Sequence, residues 1–355
     1  MNVFKKWVLE VFLGIAALTL LLGAFNVWMD PFWCFPHAHR FNSHQGAIDE
    51  RQQKSNYLSS RKPDYNAVIL GASRDVQINQ NDFKGFRAFN YAVSAMSPLE
   101  FKGYLEYFKK VAGTPEVIFL GCNFSHTNDE LKPDSKSPEF YTSQASSSLY
   151  RLTSQFNYGM LMHSYKNLKL KYLIEGGRQK GQVAYYDRHN IGNLTTYKSP
   201  ENRRNNRDRQ VKDTAFQYRE QYAYRESLKS LMTDIRDSNK GSRIVVYTTP
   251  VSEPYFCAMV KEKRLPEYER WLRDLVEVYG QVWHFEYPHS VARDYEKTFC
   301  DAHHFYPWVG TLMAHRLTGE ADPKVPADFG MLLDRSNIEQ RLVQLRRDAL
   351  EICAK

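Results

Sequence analysis

The chain has 355 residues, of which 43% are apolar and 25% are charged, and its formal net charge is +8. This composition is typical of a globular protein, and it excludes a disordered chain, a collagen and a membrane protein with many spans. The basic excess is mild. It suits an anionic partner such as a lipid surface or an acidic glycan, and it does not call for nucleic acid.

The first element along the chain is an apolar run from Val11 to Met29, interrupted only by Thr19 and Asn26. At about 1.5 Å per residue, a helix of this length crosses a hydrocarbon core of about 30 Å. Lys5 and Lys6 precede the run, so the positive-inside rule predicts a cytoplasmic N-terminus. We therefore expect a single-pass protein of the cytoplasmic (inner) membrane, with its body on the periplasmic or extracellular side.

A cleaved signal peptide is an alternative for this segment. Its apolar run exceeds the usual length of about 7–15 residues, and no clean Ala-x-Ala site follows it. A buried core helix is a weaker alternative because the run has no polar face. We favour a signal anchor, a transmembrane helix in residues 1–30, followed by a juxtamembrane connector in residues 31–63 with a short helix around 46–61.

The body, residues 64–355, alternates short apolar runs with helix-like stretches. The runs at 67–70, 117–120 and 244–247 predict buried strands, those at 88–90 and 282–285 predict weaker ones, and the helix-like stretches cover 99–111, 221–238 and 262–279. Such alternation indicates a parallel sheet covered by helices on both faces. The expected fold class is α/β: a three-layer α/β/α sandwich with a parallel (flavodoxin-like) sheet, plus the N-terminal transmembrane helix.

Residues 125–220 interrupt this alternation of predicted strands and helices. About a hundred residues separate two strands that a loop of about 2–6 residues would ordinarily join. We expect an insertion, helical around 158–173, that overhangs the strand ends. A solvated excursion, or one that docks on the membrane, is also compatible with the sequence.

The five cysteines are Cys34, Cys122, Cys257, Cys300 and Cys353. None stands in a pattern with zinc spacing, so no structural metal site is expected. One disulfide is compatible with the sequence, and Cys257 with Cys300 is the pair to test. Five free thiols are an equal alternative.

Polar residues follow three of the predicted strands, at the edge where parallel sheets bind ligands. Ser73 follows the first strand and precedes a predicted helix, Asn123 follows a later strand, and Asp301 and His304 follow the last one. Each residue alone is typical of a cap or a turn. Together they supply a nucleophile, an oxyanion donor, an orienting acid and a base.

The order and spacing of these blocks resemble the SGNH hydrolases, the GDSL-like superfamily of esterases and acyltransferases. The resemblance implies that Ser73 is the nucleophile, His304 the general base and Asp301 its orienting acid. It also implies an oxyanion hole formed by the N–H groups of Ser73 and Ala95 and by the side chain of Asn123. The block at 89–95 departs from the family pattern, because Ala95 stands where glycine is usual and an alanine does not readily adopt φ > 0.

A chain with a single membrane span before an SGNH-like body resembles a group of membrane-anchored proteins. These proteins are found beside membrane-bound O-acyltransferases in bacterial envelope pathways. The resemblance implies an O-acyltransferase or esterase that acts on a cell-envelope glycan, or another acyl ester, through an acyl-Ser73 intermediate. The resemblance is also compatible with a membrane-bound O-acyltransferase as a partner. No cofactor, no metal and no nucleic acid are expected.

Two other functions stay open. A non-catalytic scaffold or glycan-binding subunit of an envelope acylation complex would accommodate Ala95 and the insertion. A metal-dependent hydrolase would use His126, His303 and His304, but no carboxylate-rich cluster accompanies them. His303 has no assigned role in the serine mechanism.

Overall fold

The structure is a computed structural model that describes residues 3–61, 63–132, 135–178, 181–196 and 199–354. The described residues form two compact units. The first, here named the anchor unit, lies within Met1–Pro63, Ser137–Gln179 and Ala184–Asn190. The second, the sheet unit, lies within Asp64–Lys136, Lys180–Val183 and Ile191–Lys355.

Helices and strands alternate along much of the chain. The helices are α1 (Val3–Met29), α2 (Glu50–Ser60), α3 (Pro98–Ala112), α4 (Pro138–Ser146), α5 (Ser148–Thr153), α6 (Tyr158–Glu175), α7 (Pro200–Glu220), α8 (Leu228–Asp237), α9 (Glu253–Lys261), α10 (Leu265–Tyr279), α11 (Ser290–Arg293), α12 (Tyr295–Thr298), α13 (Pro307–Thr318) and α14 (Ile338–Cys353). The strands are β1 (Gln45–Gly46), β2 (Ala67–Leu70), β3 (Ala88–Asn90), β4 (Val117–Cys122), β5 (Gln182–Tyr186), β6 (Gly192–Thr196), β7 (Arg243–Thr248), β8 (Gln281–His284) and β9 (Met331–Asp334).

Helix α1 is long and apolar enough to span a membrane. Only 6% of its most apolar stretch is buried, so α1 is not the core helix of a folded domain. Its last two turns do contact the rest of the anchor unit, because Gly23, Asn26 and Met29 point inward at helical spacing and are buried. The first five turns are exposed along almost their whole length.

Polar contacts hold the anchor unit together just after α1. Arg188 forms a buried ion pair with Asp30 at 2.8 Å. The N-cap Asp49 accepts a hydrogen bond from the N–H of Gln52 and starts helix α2, within the range where a short connector helix is expected. Two-residue strand β1 pairs antiparallel with β5, with Gln45 opposite Tyr186.

The sheet unit is α/β and contains a six-stranded sheet in the order β3-β2-β4-β7-β8-β9. Strands β2, β3, β4, β7 and β8 are parallel, as the sequence predicts, and β9 runs antiparallel to β8 at the edge. Each of the five predicted strands is present, whereas β9 has no counterpart in the prediction. Because β2, β4 and β7 run the same way, the residues that follow them meet at one edge of the sheet.

Alternate residues of the central strands pack against α13 in one apolar cluster. Ile69, Phe119 and Tyr247 face this cluster from three strands, and Val309 and Met313 face it from α13. Since α13 begins only three residues after His304, its packing also fixes the loop that carries this histidine.

A disulfide joins Cys257 on α9 to Cys353 at the end of α14, with a Cα–Cα distance of 5.2 Å. The pairing of Cys257 with Cys300 that the sequence suggested is therefore wrong. Cys300 is a buried free thiol that donates to the carbonyl oxygen of His304 at 3.3 Å. The packing of α14 on α9, which brings Cys353 to Cys257, is a long-range contact that cysteine spacing does not reveal.

Candidate active site

Ser73 lies in the loop that leaves the carboxyl end of β2. Its Oγ is 2.9 Å from Nε2 of His304, which is 231 positions away in the chain. A 3₁₀ turn over Asp75–Gln77 follows the loop, where the sequence predicted a helix. A 3₁₀ turn of three residues is too short to have a significant helix dipole. A dipole of this turn therefore does not contribute to the electrostatics of Ser73.

His304 is held on its other side by Asp301. Nδ1 of His304 lies 2.8 Å from Oδ2 of Asp301, and Oδ1 of the same carboxylate accepts the N–H groups of His303 at 3.0 Å and His304 at 2.8 Å. Gln182 donates to Oδ2 at 3.3 Å. These contacts fix the ring of His304 relative to Ser73.

The charge state of Asp301 sets the tautomer of His304. Burial raises the pKa of the Asp301 carboxyl, but the hydrogen bonds from the side chain and the N–H of His304 oppose this effect, and the pKa is held well below its usual range. An ionised carboxylate can only accept, so Nδ1 of His304 carries the proton. The lone pair of Nε2 is then directed at the hydroxyl of Ser73.

Asn123 follows β4 and is 1% exposed. Its Oδ1 accepts a hydrogen bond from the hydroxyl of Thr249, at the end of β7. This contact leaves Nδ2 of Asn123 as the donor toward the cavity that the residue lines. Within the described part of the chain, the N–H of Ser73 forms no hydrogen bond, so it is available to a ligand as well.

Ala95 adopts φ 53°, the left-handed region in which glycine is usual. An alanine does not readily adopt this conformation, but Ala95 does so here. The cost of the methyl group in this region is about 1 kcal/mol. Ala95, Ser73 and Asn123 line the same cavity, which has a volume of about 320 Å³.

The cavity is lined by both polar and apolar groups. Arg74 and Arg225 contribute basic side chains to its wall, but both are buried and paired: Arg74 lies 3.8 Å from Glu286, and Arg225 lies 3.3 Å from Asp129. Burial raises the pKa of Glu286 to about 6. These pairs fix the walls of the cavity.

Asp75 has a buried carboxyl group below the loop of Ser73, and the sequence analysis did not identify it. Oδ2 of Asp75 accepts the N–H of Ala72 at 2.8 Å, and Oδ1 accepts the hydroxyl of Tyr247 at 2.7 Å. A Cβ atom at Gly71 or at Gly121 would come within 2.2 Å of this carboxyl, so glycine is required at both positions. The signal that could have revealed it is an acidic residue two positions after Ser73 and four after Gly71.

Asp301, His303 and His304 place one potential metal-ligand atom each within 4.8 Å of the others. Both ring nitrogens of His304 are already engaged, one by Ser73 and one by Asp301, so a metal here would have to displace one of them. His126, the third histidine of the metal alternative, instead accepts the N–H of Asn123 at 3.4 Å.

His303 has a neutral ring beside the triad. Burial lowers the pKa of His303 to about 3, and its ring packs on that of His304 with a centroid distance of 4.1 Å.

Ser73, His304 and Asp301 form one continuous chain of hydrogen bonds at the cavity, an arrangement suited to nucleophilic catalysis. No protein-family model matches the chain, and no curated protein shows significant similarity to it.

Proposed function

We propose that the protein is a membrane-anchored serine enzyme of SGNH type that acts on acyl esters, as an O-acyltransferase or esterase for a cell-envelope glycan. One observation carries the proposal. The Oγ of Ser73 is 2.9 Å from Nε2 of His304, whose Nδ1 is 2.8 Å from the Asp301 carboxylate. Both distances lie within hydrogen-bond reach, as a nucleophile, its base and an orienting group require.

The first half-reaction acylates Ser73. Its Oγ attacks the carbonyl carbon of the ester while Nε2 of His304 takes the hydroxyl proton, and Asp301 stabilises the imidazolium that results. The negative oxygen of the tetrahedral intermediate accepts hydrogen bonds from Nδ2 of Asn123 and from the N–H groups of Ser73 and Ala95. Collapse breaks the bond to the leaving alcohol, which receives the proton from His304.

The second half-reaction removes the acyl group. A hydroxyl group of the acceptor, from water or from a sugar, loses its proton to Nε2 of His304 as its oxygen attacks the acyl carbon. Collapse of the second intermediate returns the proton to Ser73 and releases the acid or the new ester. Exclusion of water from the cavity decides between hydrolysis and transfer.

The topology of the sheet supports an SGNH-like, three-layer arrangement. Counted along the sheet unit, its parallel strands run in the order 2-1-3-4-5, with β9 added at the edge. That is the flavodoxin-like order, in which ligands bind at the carboxyl ends of the strands. Ser73 and Asn123 directly follow two neighbouring central strands at that end.

An exported, anchored body is the second part of the proposal. Lys5 and Lys6 precede the apolar stretch of α1, which favours a cytoplasmic N-terminus. The disulfide between Cys257 and Cys353 is typical of an oxidising compartment. Retention of α1 is supported by Asn26, whose Nδ2 donates to the carbonyl oxygen of Gln155 at 2.7 Å, because cleavage would leave this buried group without its partner.

Covalent labelling tests the enzyme assignment. A fluorophosphonate probe should phosphonylate Ser73 of the purified full chain, with one adduct on the tryptic peptide that contains it. Ser73→Ala and His304→Ala should abolish labelling, and Ser94→Ala, which removes an exposed hydroxyl next to Ala95, should leave it unchanged. Equal labelling of wild type and Ser73→Ala would contradict the nucleophile assignment.

A genetic test separates an enzyme from a scaffold. In the native host, a deletion strain should lose an O-acyl modification of its envelope glycan, and Ser73→Ala should fail to restore it. Full restoration by Ser73→Ala and by His304→Ala would show that the protein acts as a non-catalytic subunit.

A further inference from the structure

An apolar surface of the anchor unit lies next to the inner part of helix α1. Leu149 and Leu152 stand three residues apart on one face of α5, and Phe156 and Tyr158 follow in the turn and at the start of α6. Their exposed fractions are 71%, 49%, 41% and 70%. We name residues 148–158 the α5–α6 corner. A cluster of large apolar side chains this exposed marks an interaction surface.

The corner contacts α1 directly, well before the end of the helix. The ring of Phe156 lies so close to Gly23 that a Cβ atom there would come within 2.3 Å of it. Asn26 donates to the carbonyl oxygen of Gln155 at 2.7 Å. Gly23 precedes Met29, the last residue of α1, by six residues, which corresponds to about 9 Å along the helix axis.

The opposite face of α5 forms hydrogen bonds with the rest of the anchor unit. Arg151 donates to the hydroxyl of Ser59 and to the carbonyl oxygen of Ala145. Gln155 is buried, and its side chain donates to the carbonyl oxygen of Arg151 at 2.9 Å. Polar groups therefore face the protein while Leu149 and Leu152 face outward, an orientation that an apolar environment outside the protein would stabilise.

The charge of the region also favours a lipid surface. Between Phe140 and Ile174 the chain has no Asp or Glu, and Lys166 and Lys169 on α6 are exposed basic residues. Arg151 faces the protein, and Lys171 is buried and pairs with Glu175. A patch that combines apolar side chains with basic ones and lacks acidic ones is attracted to anionic headgroups.

We propose that the α5–α6 corner is a second membrane contact, which inserts into the boundary between headgroups and acyl chains of the leaflet in which α1 ends. The depth of about 9 Å matches the burial of about 5–10 Å that is typical of interfacial helices. Insertion at two points, by α1 and by the corner, fixes the tilt and rotation of the anchor unit on the bilayer. This inference concerns the membrane contact of α1 and does not depend on the enzymatic proposal.

Helix α6 offers an internal depth scale for the test. Tyr158, Tyr165 and Tyr172 lie seven residues apart, so they share one face, and all three are more than half exposed. Near its middle, Asn167 donates to the side chain of Gln45, which in turn donates to the carbonyl oxygen of Met29 at the end of α1. Ser164, earlier on α6, donates to Oδ1 of Asn26 at 2.8 Å. Tyr172 follows Asn167 by five residues, about 7.5 Å along α6, whereas Tyr158 follows Phe156, which lies against Gly23, by two residues.

The experiment uses the full chain, disulfide intact, as single copies in nanodiscs of phosphatidylethanolamine and phosphatidylglycerol. Leu152→Cys, Tyr158→Cys and Tyr172→Cys are each labelled with the dye NBD, and lipids with a doxyl group high on the acyl chain serve as quenchers. The free cysteines of the described chain are buried, so unmodified protein controls for background labelling. We expect blue-shifted emission and doxyl quenching at 152 and 158, and neither effect at 172.

Aqueous emission and absence of quenching at 152 and 158, equal to those at 172, would overturn the proposal. So would protection of position 152 only when a second copy, or a partner protein, is added to the nanodisc. Leu149→Glu combined with Leu152→Glu provides a second test, because both positions are exposed and the change should not disturb folding. It should abolish the quenching at 158, and unchanged quenching there would also contradict the proposal.

Discussion

The hydroxyl of Thr249 donates to Oδ1 of Asn123, and this bond selects the end of the amide that reaches the cavity. Without it, the amide of Asn123 could rotate and present its oxygen to the cavity. A carbonyl oxygen there would repel a developing oxyanion, whereas Nδ2 stabilises it. Thr249 is thus a positioning residue for the proposed oxyanion hole.

Thr249→Val tests this relationship. The variant keeps the shape of the side chain but removes the donor, so we expect kcat for hydrolysis of p-nitrophenyl acetate to fall about 10-fold or more. Asn123→Ala should lose about 10²–10³-fold, the usual effect of removing an oxyanion donor. Thr249→Ser keeps the hydroxyl and should restore most of the rate; a Thr249→Val enzyme as fast as wild type would contradict the positioning role.

Asp301→Asn should impair the proposed base while preserving the fold. Oδ1 of an Asn can still accept the N–H groups of His303 and His304. Its amide group, however, would donate to Nδ1 of His304 and so move the proton to Nε2, where it blocks proton transfer from Ser73. A loss of about 10⁴-fold in kcat is expected from the wrong tautomer. Circular dichroism melts should match wild type, and a loss of less than tenfold would argue against a triad.

The parallel sheet, and the edge at which Ser73 lies, could be predicted because their signals are local. An apolar run such as residues 67–70 predicts a buried strand, and a polar residue just after it, such as Ser73, must lie at the sheet edge. That Asp301 and His304 lie beside Ser73 is expected from the order of the blocks and their resemblance to SGNH hydrolases, and the structure brings the three side chains within hydrogen-bond distance.

Features that depend on packing between distant segments could not be predicted. The Cys257–Cys353 pair requires the docking of α14 on α9, and the contact of Asp75 with Tyr247 joins residues 172 positions apart. Strand β9 is short and half-buried, and its apolar run is only three residues long, Met331 to Leu333. Sequence likewise could not reveal that Ala95 accepts a left-handed conformation, which depends on the loop around it.

Ala95→Gly should stabilise the protein slightly. Glycine removes the cost of about 1 kcal/mol that the methyl group incurs at φ 53°, although its greater freedom in the unfolded chain offsets about 0.5–1 kcal/mol. We expect the free energy of unfolding in urea to rise by up to about 0.5 kcal/mol, with the N–H donor retained and activity preserved. Ala95→Val should be destabilised, because a β-branched residue fits this region poorly. A clear loss of stability in Ala95→Gly would mean that the conformation is not strained.

The disulfide should contribute substantially to stability. It closes a loop with a sequence separation of 96 residues, and loss of a native disulfide typically costs about 2–5 kcal/mol. Dithiothreitol, or Cys257→Ala with Cys353→Ala, should lower the free energy of unfolding by this amount. Reductant should have no further effect on the double variant, because Cys34, Cys122 and Cys300 are buried thiols. Equal stability of reduced and oxidised protein would show that the bond does not form.

Asp75 should make stability depend on pH in a specific window. Burial raises the pKa of its carboxyl from 3.8 to about 6, although the hydrogen bond from Tyr247 opposes this shift. Between these two values the native state binds more protons than the unfolded state, so the stability present below about pH 4 is lost as the pH rises to about 6. The loss is at most about 3 kcal/mol.

Asp75→Asn isolates this contribution, because it removes one titration and leaves that of Glu286, which falls in the same window. The wild-type free energy of unfolding should decrease from pH 4 to pH 6.5 more steeply than that of the variant. Tyr247→Phe removes the hydrogen bond that favours the ionised carboxylate, so it should move the wild-type window to higher pH. Parallel pH profiles for wild type and Asp75→Asn would show that Asp75 titrates normally, and the loop of Ser73 would then rest on an ionised carboxylate throughout this range.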